Sequence, residues 1–134
     1  MAHTSQIKYE DTVPFMPSIT EALVIKVYDG DTITIGFYYG DVVKPYRMSV
    51  RLLGIDTPEM KGSCPEEKAK AKLAQQFLSS KLLGNMVELR DVALEKYGRL
   101  LANVYCDGVN MNQLMIDNNH AVAYDGGTKA IFKK

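Results

Sequence analysis

The chain has no tryptophan, two cysteines, two histidines and no surplus of charge of either sign. Each scarcity excludes something. Cys64 and Cys106 are too few for a disulfide framework and stand in no zinc-ligand spacing, so a reducing, intracellular setting with idle or buried thiols is expected. Sixteen basic residues against sixteen acidic ones leave no basic coat for indiscriminate nucleic-acid binding, although a local cleft of one sign remains open. No apolar run approaches the roughly 20 residues of a spanning helix, so no membrane is expected. Met1 to Gln6 carry neither a signal-peptide apolar core nor a myristoylation motif. His3 lies in a polar leading stretch and His120 near a helix end, so no imidazole base is in view. Hydrophobic residues are 46% of 134, which suits one packed domain.

Residues 1–20 read as a tail or surface arm, and 21–134 as one domain. The first strand runs from about Ala22 to Tyr28, with Leu23, Ile25 and Val27 on one face. Asp29-Gly30 is a hairpin dipeptide. In the next strand Ile33, Ile35 and Phe37 alternate with Thr32, Thr34 and Gly36. A third strand runs from Tyr46 to Ile55, with Met48, Val50 and Leu52 inward and Arg47, Ser49 and Arg51 outward. Ser63 with Glu66 resembles a helix capping box followed by a tolerated Pro65. Ala69, Leu73 and Phe77, with Ala74, Leu78 and Leu82, form an apolar stripe, Lys68, Lys70, Lys72 and Gln75 face out, and Gly84 stops the helix. Strands follow over Met86 to Val92 and Arg99 to Cys106. Asn110 and Gln113 open a short helix that directs Met111, Leu114 and Met115 inward. Ala121 to Tyr124 is a last extended piece. This order predicts an α+β, mainly β fold: a five-stranded OB-type Greek-key barrel with two or three helices.

If the second and third strands pair antiparallel, Asp31 meets Asp56 across 25 residues of sequence. Two carboxylates so placed repel unless a cation separates them or one is protonated. Both are hard oxygen donors suited to a divalent ion. Arg51 adds a fork that fits a phosphate, and Pro58 stiffens the turn that ends in Glu59.

Three segments carry a resemblance: Asp29-Gly30-Asp31-Thr32, Arg51-Leu52-Leu53-Gly54-Ile55-Asp56-Thr57-Pro58-Glu59, and Lys96-Tyr97-Gly98-Arg99-Leu100-Leu101-Ala102. In this order, across residues 22–124, they resemble the staphylococcal nuclease family. The resemblance implies an OB-type barrel that hydrolyses DNA and RNA as a Ca²⁺-dependent endonuclease leaving 3′-phosphates. It implies Asp31, Asp56 and the Thr57 carbonyl as metal ligands, and Glu59 as the residue that positions or deprotonates water. Arg51 and Arg99 would grip the phosphate. Lys96 and Tyr97 would line the nucleotide pocket, with Tyr124 as a base-stacking ring. Two features depart from the family pattern. Met60 to Pro65 replace its lysine-rich loop, and its last long helix has no counterpart before Lys134.

A monomer acting on single-stranded or flexible nucleic acid is expected, because the site addresses an accessible backbone. The alternative is a binding module of the same fold that has lost the chemistry. Each segment alone is a turn or a surface ion pair; together they favour the nuclease.

Overall fold

The computed structural model describes residues 3–60, 64–95 and 97–124. Two single 3₁₀ turns, Thr4–Gln6 and Tyr9–Asp11, precede an extended arm. The arm is tied down where Phe15 meets Tyr39 edge to face and the Ser18 N–H donates to the Tyr39 hydroxyl. Strand β1 is Glu21–Asp29, β2 is Thr32–Phe37 and β3 is Tyr46–Leu52. A two-residue β4, Ile55–Asp56, leads to helix α1, Pro65–Leu82. Then come β5, Met86–Leu94, β6, Leu100–Cys106, and the short β7, Val109–Asn110. Helix α2, Met111–Asp117, and β8, Val122–Ala123, complete the described chain.

Antiparallel pairs join β2 to β1 and β3, and β5 to β1 and β6. The barrel closes where β6 lies parallel to β3, setting Val50 against Leu100 and Leu52 against Ala102. The result is the five-stranded, mainly β, OB-type barrel with two α-helices. Ile33, Ile35, Val50, Leu52, Leu100 and Val104 fill it and are fully buried. Each such side chain contributes about 1.5–3 kcal/mol when removed from water. β4 and β8 form a separate two-stranded ladder at one end.

Three sequence expectations are corrected. Leu23 and Ile25 do not face the core: they are 39% and 46% exposed, while Ala22, Val24 and Val27 are buried. A register shift between Val24 and Lys26 reverses the alternation partway along β1, and a one-residue slip changes every face beyond it. β3 stops at Leu52 rather than Ile55, because the chain turns at Gly54, whose φ is +80°. On α1 the buried row is Ala71, Ala74, Leu78 and Leu82; Ala69 and Leu73 are exposed, and Gln75 turns inward to donate to the Val27 carbonyl. Ser63 lies outside the described residues. The observed N-cap is Cys64, whose sulfur accepts from the Glu67 N–H, with Pro65 at the first helical position.

α2 starts as expected, with the Asn110 side chain accepting from the Gln113 N–H. It ends near Asn119, whose φ of +62° reverses the chain. His120 then stacks on Phe77 of α1, with ring centroids 4.7 Å apart. Burial lowers the His120 pKa. A base with a depressed folded pKa contributes its full stability above the unfolded value of about 6.5, and that contribution fades as pH falls through the folded value. His120→Phe should therefore narrow the gap between urea midpoints at pH 7 and pH 5. An unchanged gap would remove His120 from the acid response.

Candidate functional site

The β2–β3 register places Thr32 opposite Arg51, and the Leu52 N–H donates to the Asp31 carbonyl at 2.8 Å. The start of β2 therefore lies beside the end of β3, as antiparallel pairing requires. The Arg51 Nη2 stands 3.4 Å from the Asp31 carboxylate and 3.4 Å from that of Asp56. Its Nη1 donates to the Ile55 carbonyl at 3.1 Å. The cation that the two acids require is thus supplied by the chain itself. Asp31 is 7% exposed and Asp56 1% exposed; at that depth an unbalanced carboxylate would be costly.

The turn carrying Asp31 is pressed against the rest of the fold. A Cβ on Gly30 would come within 2.8 Å of the Ala74 Cβ and 3.2 Å of the Thr57 Cγ2. Only glycine lets the turn, α1 and the Thr57 segment meet at one point. Asp29, treated in the sequence as part of a turn, enters the same cluster: its carboxylate accepts the Asp31 N–H at 3.1 Å. Burial raises its pKa from the ordinary carboxylate range to about 7, helped by the neighbouring Asp31 carboxylate. Asp29 and Asp31 are thus neighbours at this end of the barrel, and both line the same cleft.

A cleft of about 370 Å³ gathers Asp31, Arg51, Asp56, Thr57, Glu59 and Arg99. Thr57 is buried, Glu59 is exposed, and Arg99 is half-buried. The Arg99 Nε donates to Glu95 at 2.8 Å, and its Nη2 makes a second contact with the same carboxylate. That hydrogen bond holds the Glu95 pKa low, and the Arg51 charge adds to the effect. Glu95 is a site residue that the sequence reading missed; it faces Arg99 across the turn between β5 and β6, where its N–H also donates to the Arg99 carbonyl at 2.8 Å. The Tyr124 ring lies 5.7 Å from the Arg51 guanidinium, within cation–π reach. Tyr97 is 76% exposed on the turn before β6. Lys96 lies outside the described residues.

The donor set fits a hard divalent ion. Two buried carboxylates share one end of the cleft, and Thr57 follows Asp56 directly. Among the described residues no three His, Cys, Asp or Glu side chains form a metal cluster. The remaining positions would fall to backbone carbonyls and water, which Ca²⁺ and Mg²⁺ accept.

Asn112 holds the scaffold from below. It is 4% exposed. Its Nδ2 is within hydrogen-bond distance of the Leu53 carbonyl at 2.7 Å and the Ala102 carbonyl at 3.1 Å, and its Oδ1 accepts the Val104 N–H at 3.0 Å. It therefore ties the turn between Arg51 and Asp56 to the strand that follows Arg99. Nothing in the period of α2 marks it, apart from an amide between Met111 and Met115.

A family model described as staphylococcal nuclease homologue matches residues 49–133. The chain belongs to that family. It is 34% identical over 125 residues to the SPbeta prophage-derived endonuclease YokF of Bacillus subtilis, covering 87% of this chain and 40% of the relative. It is 33% identical over 86 residues to a probable endonuclease of Schizosaccharomyces pombe, covering 59% and 37%. An uncharacterized protein of Bacillus anthracis is 35% identical over 102 residues, covering 74% and 45%. The chain thus spans less than half the length of these curated relatives.

Removing the Asn112 amide leaves buried backbone groups without their bonds, at about 1–3 kcal/mol each. Asn112→Ala should lower stability to urea by roughly 3 kcal/mol. A loss below about 0.5 kcal/mol, the scale of an ordinary surface change, would contradict the assigned contacts.

Proposed function

We propose that this domain is a metal-dependent nuclease that cleaves phosphodiester bonds within DNA and RNA. The observation that carries the reading is the convergence of two guanidiniums, two buried carboxylates and Glu59 on one cleft. Relatives named as an endonuclease and a probable endonuclease support it. In the finer reading the ion is Ca²⁺, the product carries a 3′-phosphate, and the active form is a monomer. A single-stranded or flexible backbone is preferred because it can bend into so small a cleft.

The chemistry follows from the residues. A phosphodiester hydrolyses slowly because water is a weak nucleophile and negative charge grows on the phosphoryl oxygens. Glu59, exposed at the cleft, takes a proton from the attacking water. The new P–O bond forms as the bond to the 5′ oxygen breaks, and that oxygen takes a proton from solvent water to leave as a hydroxyl. Arg51 and Arg99 face the equatorial oxygens, where a planar fork stabilises the added charge better than a point charge. Asp31, Asp56 and the Thr57 carbonyl would hold the divalent ion, which when bound polarises the phosphoryl oxygen and orients the water. Arg51 already balances both acids. Such an ion would relieve it of that duty and leave its fork for the phosphate.

One observation favours the second reading, a binding module without chemistry. Both guanidiniums are engaged by protein carboxylates, Arg51 by Asp31 and Asp56, and Arg99 by Glu95. Digestion separates the two readings. Plasmid and single-stranded DNA should be cut in Ca²⁺, and chelator should abolish cutting. Glu59→Gln should lower turnover by about 10²- to 10³-fold while Ca²⁺ binding changes little. Equal rates in the two proteins would take Glu59 out of the mechanism, and no cutting by either would favour the module.

Arg51→Lys and Arg99→Lys test the transition-state role separately. Each should reduce kcat by roughly 10²-fold. A rise in KM with kcat unchanged would assign the arginines to uniform binding instead.

A further inference from the structure

The outer face of β1, β2 and β3 continues away from the cleft. Arg51, Ser49 and Arg47 alternate outward along β3, opposite Thr32, Thr34 and Gly36. Leu23 of β1 stands beside Gly36, and Lys26 beside Thr34. Arg47 is therefore on the same face as Arg51, four residues or about 13 Å away. Arg51, Arg90 and Arg99 each face a carboxylate; Arg47 makes no ion pair among the described residues.

Arg47 borders a second groove of about 600 Å³ that includes Leu23, Ile25, Gly36, Tyr38 and Met86. Gly36 has no side chain, and a Cβ there would stand 3.3 Å from the Ile25 methyl, so Ile25 forms the floor. Ile25 is 46% exposed, Met86 56% and Tyr38 69%. Flat apolar and aromatic surface beside an unpaired guanidinium suits a base and its phosphate. Between the groove and the cleft, the β2 and β3 register presents the hydroxyls of Thr34 and Ser49, with Lys26 alongside. Those groups can donate to a phosphate backbone. An apolar peptide or a second copy of the chain would gain nothing from that polar line. The acid at the groove, Glu21, lies on β1 rather than on the line between the two arginines.

We propose that a single nucleic-acid strand engaged in the cleft continues along this face and is held at its far end by Arg47, with a base resting on Tyr38 and the Ile25 floor. The inference rests on the nuclease reading for the cleft and adds a second contact region to it. OB barrels engage about 4–16 nucleotides, more than a cleft of about 370 Å³ can hold.

Fluorescence anisotropy with end-labelled single-stranded DNA tests the path. The Glu59→Gln background in Ca²⁺ slows cutting by about 10²- to 10³-fold so that binding is read before cleavage, and strands of about 12 and about 3 nucleotides are compared, the first within the span of an OB barrel and the second below it. Arg47→Ala and Tyr38→Ala should each weaken the long strand by about fivefold or more and leave the short one unchanged. For Arg47→Ala the slope of log K against log salt should also fall by about 0.7, one phosphate contact, and Arg47→Lys should restore it. Parental affinity for the long strand in both variants overturns the path, as does equal weakening of both lengths. So does altered self-association in sedimentation with unchanged strand binding, which would give the groove to a second copy. Cleavage by the Glu59-intact protein is scored separately. Cutting without an Arg47 effect removes the path and keeps the nuclease, whereas an Arg47 effect without cutting keeps the path and removes the nuclease.

Discussion

A single guanidinium holds two buried acids together. Arg51 reaches Asp31 and Asp56 at equal distance, and much of the fold serves to put those three groups at one point. Buried carboxylates without a counterion would protonate or separate. Breaking one partner of such a cluster is costlier than the net worth of the pair, because the other charge is left stranded. The site is therefore a constraint on the fold whatever chemistry it performs.

Backbone geometry carries the constraint. The β2–β3 ladder aligns Asp31 with Arg51, and the parallel contact of β6 with β3 brings up the strand that follows Arg99. The turn at Gly54 then swings Asp56 back toward Arg51. That turn is held from three directions: the Leu53 N–H donates to the Ala102 carbonyl, the Tyr124 N–H donates to the Gly54 carbonyl, and the Asn112 amide bonds the Leu53 carbonyl. A site positioned by ladders and a buried amide loses little order when the ligand arrives, which is what preorganised electrostatics requires.

The parts of this arrangement written in local periodicity were legible. The alternation of β2 and β3 suggested that the two pair antiparallel, and that pairing predicted that Asp31 would meet Asp56. The face of β1 was misread because a bulge between Val24 and Lys26 leaves no mark in one sequence. The α1 stripe was misread because small Ala71 is buried while large Leu73 is exposed, a choice made by the barrel surface and not by the helix. Asn112 escaped notice because its partners, Leu53 above all, are distant in sequence. Asp29 was hidden by its role in a turn, and its shifted protonation exists only in the assembled cluster.

In the proposed nuclease reading, charge balance explains how a neutral chain addresses a polyanion. Lys8, Lys44, Lys68, Lys72 and Lys81 are scattered over the surface, whereas Arg51 and Arg99 are gathered at the cleft, each held in place by acids. The most direct test of that account is the anomalous difference density of a Ca²⁺-soaked crystal carrying a nucleoside bisphosphate. The account predicts a peak against the Asp31 and Asp56 carboxylates, with the Arg51 fork turned onto the phosphate. Density showing Arg51 still bridging both acids, with no ion beside them, would contradict it.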